Sequence, residues 1–179
     1  VLYSLITLER AYVHDAESAH RVLESLRQRI RGMVKVHTML YQSKNLAVVD
    51  FAEYIRSAVS ELLPALKNDT TDIRLDVRLS SVLLTVDDAV PCGLLINELL
   101  TNALKHAFPA HRSGTITVAL EEKNGIVFLS VADDGVGMPV AGPAGHTMGM
   151  ELVKMLSDQL HGTIQLTGRP GTRWEIRFP

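Results

Sequence analysis

The sequence predicts an α+β chain, a helical hairpin followed by a domain in which strands and helices alternate. Three observations carry that reading. Ala19, Leu23, Leu26, Ile30, Met33, His37 and Leu40 recur at alternating spacings of four and three, the seam of a coiled coil or helical bundle. Ile73, Leu75, Val77 and Leu79 alternate with Arg74, Asp76 and Arg78, the period of a strand with one buried face. Finally, LLINELLTNALKHAF, residues 94–108, sets Leu99, Leu100, Ala103, Leu104 and Ala107 on one side of a helix and Glu98, Asn102, Lys105 and His106 on the other.

Taken in order, residues 1–13 read as the end of an amphipathic helix, interrupted by His14 and Asp15. The seam helix follows, with Arg21, Glu24, Arg27, Gln28, Arg31 and Lys35 on its solvated side. Two helices cannot enclose a core, so a hairpin with so continuous a seam implies a homodimer closed as a four-helix bundle. His37, beside Leu40 and Tyr41, reads as a hydrogen-bonded packing residue. Gln42 to Val49 loses the seam and reads as a linker, which divides the chain into residues 1–45 and 46–179. Asp50 and Glu53 resemble a capping box opening a helix that Asn68 to Asp72 stops. After the strand at 73–79, Val82 to Val86 reads as a short second strand. Asp88 is the expected cap of the helix that runs on to Phe108, with Pro91 in its first turn.

Beyond that helix, Thr115 to Glu122 alternates as a strand, Lys123-Asn124-Gly125 is a hairpin turn, and Ile126 to Ala132 is apolar enough for a central strand. Met138 to Thr147, rich in Gly, Pro and Ala, separates it from a helix over Gly149 to Leu160 that His161-Gly162 ends. Two strands, Thr163 to Thr167 and Arg173 to Phe178, close the chain around Gly168-Arg169-Pro170-Gly171-Thr172.

Composition narrows the function. The 179 residues are 46% hydrophobic with a net charge of −2 and no basic run, which indicates neither a nucleic-acid groove nor an anionic membrane surface. No apolar run reaches the ~18 residues of a membrane span. Cys92 is the only cysteine and, among Val90, Gly93 and Leu94, reads as a buried, inert thiol. The chain opens at Val1 within helical sequence, so it reads as a segment of a longer protein.

The polar side of 94–108 fits either a solvated face or one wall of a site for a magnesium-bound phosphate chain. Asp133 ends an apolar strand, where a partly desolvated carboxylate favours a donor such as the exocyclic amine of adenine. Gly135 and Gly137 allow a planar ring to approach the backbone, and the amides at a helix start near Gly149 suit phosphate.

The order of these pieces resembles the ATP-binding fold shared by gyrase, Hsp90, histidine kinases and MutL. NELLTNALKHAF and VADDGVGMP are similar to the N box and first glycine box of sensor histidine kinases. The segment RIRGMVKVHTMLYQSKNLAVVDFAEYI resembles the junction of helical bundle and catalytic domain in relatives of the HWE kinases. The resemblance covers essentially the whole chain. It implies a two-layer α/β sandwich with a mixed sheet of the histidine-kinase ATPase type, ATP and Mg2+ as ligands, and transfer of the γ-phosphoryl group to a histidine and then to an aspartate on a response regulator receiver domain. It assigns Asn102 and Glu98 to the metal and to catalysis, and Lys105 and His106 to the phosphates. Asp133 accepts from adenine, with Gly135, Gly137, Met138, Gly149, Met150 and Thr172 completing the nucleotide site. A cytoplasmic setting follows, with no direct membrane contact by this segment even if the parent protein is membrane-attached.

Three departures from the family pattern stand out. The phosphoacceptor motif is expected before Val1 and none of the seven histidines matches it, so the segment is not expected to autophosphorylate. The second glycine box keeps only Gly149, with Gly145 as a compensating residue, and the stretch before it is short. Trp174 lacks the W-x-E spacing of strict HWE kinases. Two alternatives stay open: an anti-sigma-factor-like serine kinase, which shares E-x-x-x-N and N-A-x-K-H but needs no helical hairpin, and a non-catalytic phosphotransfer or scaffold protein with a degenerate ATP pocket.

Overall fold

The computed structural model describes residues 6–7, 10, 12–42, 48–66, 72–138, 148–168 and 170–179. Most of the expected first helix, the linker at 43–47, the helix stop at 67–71 and the stretch 139–147 with Gly145 lie outside the described residues.

The long helix α1, Ala16–Gln42, opens on a reciprocal cap. Asp15 Oδ1 accepts from the Ser18 amide at 2.6 Å while Ser18 Oγ accepts from the Asp15 amide at 2.9 Å, so two of the amides that a helix start leaves unpaired are satisfied together. Strand β1, Val48–Asp50, leads directly into helix α2, Phe51–Leu66. Asp50 caps α2 by accepting from the Ala52 amide, and its other oxygen accepts from Ser81 Oγ; Ser81, rather than the expected Glu53, is the second partner. Strand β2, Ile73–Leu79, joins the main sheet, whereas β3, Leu83–Thr85, leaves it and pairs antiparallel with β1. The region expected to be plain linker thus contributes a strand at 48–50.

Helix α3, Val86–Asn102, continues as a π-helical segment, Ala103–Ala107, in place of the uniform helix expected to Phe108. Its cap is Thr85 rather than Asp88. Thr85 Oγ1 accepts from the Asp88 amide and donates to Asp88 Oδ2 at 2.7 Å, so the aspartate is the returning partner of the cap one turn in. With the start moved to Val86, Pro91 lies inside the helix, beyond its first turn. Strands β4, Gly114–Lys123, and β5, Ile126–Asp133, form the hairpin, turning on Asn124 and Gly125 at φ 54° and 75°, the positive pair that a two-residue turn requires. Helix α4, Met148–Gln159, is closed by the Gly162 amide on Ser157 O and the His161 amide on Asp158 O, with His161 itself left-handed at φ 53°. Strands β6, Thr163–Thr167, and β7, Thr172–Phe178, complete the chain.

The sheet order is β2-β4-β5-β7-β6, with β2 and β4 parallel and the other pairs antiparallel. This is the mixed sheet expected, with β5 central. Its inner face meets the helices in one core that includes Leu95, Ile96, Leu99, Leu100, Ile116, Leu129, Leu152 and Ile176. Val36 of α1 belongs to that core and is fully buried.

The face of α1 turned to the rest of the molecule carries Val22, Arg29, Gly32 and Val36, whereas Leu23, Ile30 and Val34 are exposed. The seam therefore splits, with Leu26 and Met33 packed against the core. His37 is exposed in this single chain rather than packed. Lys35, expected on the solvated side, pairs with Glu61 at 2.6 Å and lies 5.8 Å from the centre of the Tyr54 ring. Helices α1 and α3 interlock where Gly32 faces the Asn97 amide and Gly93 faces Val36 and Tyr54.

Two outcomes follow from this packing. A Cβ at Gly93 would lie 2.9 Å from the Tyr54 ring and hydroxyl, so Gly93→Ala should lower stability by about 1–3 kcal/mol, the usual cost of overpacking, read as a drop in denaturant midpoint. Burial pushes the Cys92 thiol well above its ordinary value; the thiol should resist alkylation in the folded protein at neutral pH and react on unfolding, as mass spectrometry of labelled samples would show.

Candidate functional site

Helix α3 has its polar side chains where its packing partners leave room. Leu94, Leu95, Ile96, Leu99 and Leu100 are at most 1% exposed, while Asn97, Glu98 and Asn102 are half-buried. Asn97 looks toward α2 and α1 and donates to the Tyr54 hydroxyl at 3.0 Å. Burial pushes Tyr54 up to about 12 despite that bond, so it remains a neutral phenol.

Glu98 is held from two sides. Its Oε2 accepts from Arg29 Nη2 at 3.1 Å, an ion pair in which Arg29 is 6% and Glu98 17% exposed. Its Oε1 lies 2.6 Å from where a Cβ at Gly149 would stand, and Asn102 Nδ2 lies 3.5 Å from the same point. The missing side chain at the start of α4 is thus what lets one carboxylate oxygen and one amide come close to its backbone. Lys105 and His106 follow on the π-helical segment and are exposed. Single π turns inside α-helices recur at functional positions.

The second half of the site is the end of β5. Asp133 is in register with Thr172 on β7 and Ile116 on β4. Its Oδ1 accepts from the amides of Gly135, at 3.0 Å, and Thr172, at 3.2 Å. Desolvation raises the Asp133 carboxyl above its ordinary value; the Gly135 and Thr172 amides and the Thr172 hydroxyl oppose that shift, and the Asp134 charge adds to it. Asp134 itself is structural, since its Oδ1 accepts from the Thr115 amide at 2.7 Å and its carbonyl accepts from Arg112.

The loop after Asp133 lies against the end of the polar helix. The Val136 amide donates to Ala107 O at 3.0 Å, and a Cβ on Gly135 would overlap that carbonyl. The Met138 amide donates to Gly168 O, which brings Gly137 and Met138 to the 168–171 turn. Gly171, at φ 65°, leaves no room for a Cβ against the Asp133 carbonyl. Glu98, Asn102 and Gly149 therefore meet at one place, and Asp133, Gly135, Gly137, Met138 and Thr172 at another, with the 103–107 segment between them. Met150 packs on the core and lines a groove of about 840 Å3 along α4, shared with Ile164, Leu166 and Trp174.

Sequence reasoning overlooked Arg29 and Gly171. Arg29 sat on a face read as neither seam nor solvent, and no local pattern announces a partner 69 positions away. Gly171 was legible only as a turn residue.

No cluster of three or more His, Cys, Asp or Glu side chains suits a metal among the described residues. The Glu98 carboxylate with the Asn102 side chain beside it is chemically the kind of group through which magnesium meets proteins, which usually supply it one or two oxygens and leave the rest to phosphate and water.

The pH dependence of stability follows from Asp133. Because its folded value is raised, the folded protein binds more protons than the unfolded chain from the ordinary aspartate value of 3.8 upward, so this residue's contribution to stability falls as pH rises through that window. Asp133→Asn keeps an oxygen for both amides and removes the charge. Thermal melts should show the variant gaining on the wild type as pH rises from 3.8; a gap that stays constant with pH would contradict the assignment.

Known proteins resemble this chain in sequence and fold. Residues 87–179 match the family model described as histidine kinase-, DNA gyrase B- and HSP90-like ATPase, and residues 1–66 match the model described as histidine kinase. The chain is 28% identical over 186 residues to the sensor histidine kinase PdtaS of Mycobacterium tuberculosis, covering 98% of this chain and 36% of that protein. It thus spans about a third of that relative's length. It is 26% identical over 193 residues to the blue-light-activated histidine kinase 2 of Erythrobacter litoralis, covering 99% of this chain and 53% of the relative. The solved histidine kinase domain of the E. litoralis EL346 blue-light-activated kinase superimposes with a TM-score of 0.77 at 23% identity, covering 99% of this chain and 94% of that one, so the fold is shared. By its matched sequence and its architecture, the chain belongs to the histidine kinase-, DNA gyrase B- and HSP90-like ATPase family.

Proposed function

We propose that this chain is the catalytic core of a two-component sensor histidine kinase, in which residues 1–45 dimerise and 46–179 bind Mg2+ and ATP. The observation that carries the reading is the convergence of Glu98 and Asn102 on the backbone of Gly149, with Asp133 held by Gly135 and Thr172 beyond the π-helical segment. Asp133 presents a carboxylate to the adenine amine, and fixing Oδ1 with two backbone amides keeps that acceptor in one orientation. Asn102 and Glu98 hold the metal, which when bound neutralises charge on the transferring phosphoryl group. Lys105 and His106 add positive or donor character at the exposed end of the helix.

In the reaction, the bond from the γ-phosphorus to the bridging oxygen breaks as a bond to a histidine nitrogen forms, and ADP leaves with the oxygen. The phosphoryl group then passes to an aspartate of a response regulator receiver domain. Positioning and charge stabilisation supply most of the catalysis for such transfers. Dimerisation through the helical hairpin is supported by Leu23, Ile30 and Val34, which are 65%, 44% and 57% exposed along α1. Among the described residues no helix is long and apolar enough to cross a membrane, and we place the segment on the cytoplasmic side of whatever protein carries it. A serine kinase of the anti-sigma-factor type would have no use for α1, whose Val36 is part of the core.

Calorimetry tests the reading. The chain should bind ATP in a Mg2+-dependent manner, and Asp133→Asn, which turns an acceptor toward adenine into a donor, should abolish binding while the protein stays folded. Absence of nucleotide affinity in the intact wild-type protein, or undiminished affinity in the variant, would sink it.

A further inference from the structure

The Arg29 to Glu98 ion pair joins the helical segment to a side chain at the centre of the proposed metal site. It spans 69 positions of sequence, and both partners are largely withdrawn from solvent. An ion pair so placed is not justified by stability alone, because desolvating two charges offsets much of their attraction. Its geometry suggests another use. Glu98 has two oxygens with different surroundings: Oε2 takes the guanidinium, while Oε1 lies on the Gly149 side, where the Asn102 amide is also near. Were Oε2 free, the carboxylate could rotate about its last torsion and turn either oxygen, or neither, toward Gly149 and Asn102.

We propose that Arg29 is a positioning residue for Glu98, tethering Oε2 so that Oε1 is held toward the metal and phosphate, and that the metal site of the ATP-binding domain is therefore completed by a residue of the helical segment. The inference rests on the nucleotide-binding reading above. The tether is itself anchored. Three residues on from Arg29, Gly32 lets α1 approach the Asn97 side chain, and one turn further Val36 is fully buried in the core. The helix that carries Arg29 is thus seated against α3 on the same face, so the guanidinium has a fixed base from which to hold the carboxylate.

Affinity for ADP, measured by calorimetry with and without Mg2+, separates the possibilities. In the wild type Mg2+ should tighten ADP binding. Arg29→Met should reduce that enhancement by about tenfold, within the range typical for partners that orient a metal-binding side chain, and leave affinity without Mg2+ unchanged. Arg29→Lys should restore part of it. Glu98→Gln should lose the enhancement, and Arg29→Met combined with Glu98→Gln should lose no more than Glu98→Gln alone. Undiminished enhancement in Arg29→Met would overturn the inference while leaving nucleotide binding intact; failure of the wild type to bind ADP at all would instead remove the reading on which it rests. Should Arg29→Met not fold, Arg29→Lys and the double variant decide. Full enhancement in the lysine variant together with a further loss in the double variant relative to Glu98→Gln would show that Arg29 acts on something other than Glu98.

Discussion

Helix α3 has to satisfy three packings at once. The sheet takes one side of it, α1 and α2 take another, and α4 closes over the end near Glu98, so that five of its leucine and isoleucine side chains lose essentially all contact with water. At ~25 cal/mol per Å2 of apolar surface removed from water, side chains of this size contribute on the order of 1.5–3 kcal/mol each. That burial fixes the rotation of the helix about its axis. Once the rotation is fixed, the directions in which Asn97, Glu98 and Asn102 leave the helix are fixed with it, and the layout of the site follows from a hydrophobic constraint.

The polar groups left on α3 are then matched one by one. Asn97 meets Tyr54, whose ring stacks on Phe51 with centroids 5.1 Å apart, and the phenol carries the hydrogen bond that a buried amide needs. Glu98 meets Arg29. Past Asn102 the helix widens into the π-helical segment, and the carbonyl of Ala107 is taken by the loop that follows Asp133. The same backbone group therefore ends the polar helix and seats the glycine loop. The two halves of the site are thus joined by a main-chain hydrogen bond, with the Arg112 guanidinium on the Asp134 carbonyl beside it.

Much of this was readable from the residues. The polar and apolar sides of 94–108, the central place of β5, the Asn124-Gly125 turn and the two closing strands follow from periodicity and turn chemistry, which act over a few residues. What stayed hidden depended on partners far away in sequence. The pairing of β1 with β3 requires knowing that Val48–Asp50 lies beside Leu83–Thr85. The choice of Thr85 over Asp88 as cap turns on which of two good capping residues ends an extended strand, a matter of where β3 stops. Arg29 looks like any arginine on a charged helix until α1 is laid on α3. The split of the seam has the same origin, since spacing shows which residues share a stripe but not which of two neighbours covers each part of it.

Val36 bears on how such proteins could be recombined. Its side chain is fully buried in a core whose other buried members run from Val49 onward, although it lies before the linker at which one would naturally divide the chain. A chimera joined in that linker would bring a foreign helix against α3 and would have to reproduce a small residue opposite Asn97, a branched aliphatic opposite Gly93 and a cation opposite Glu98. An exchange that keeps α1 with the residues after the linker keeps this interlock whole, so the helix is inherited together with the fold that it touches.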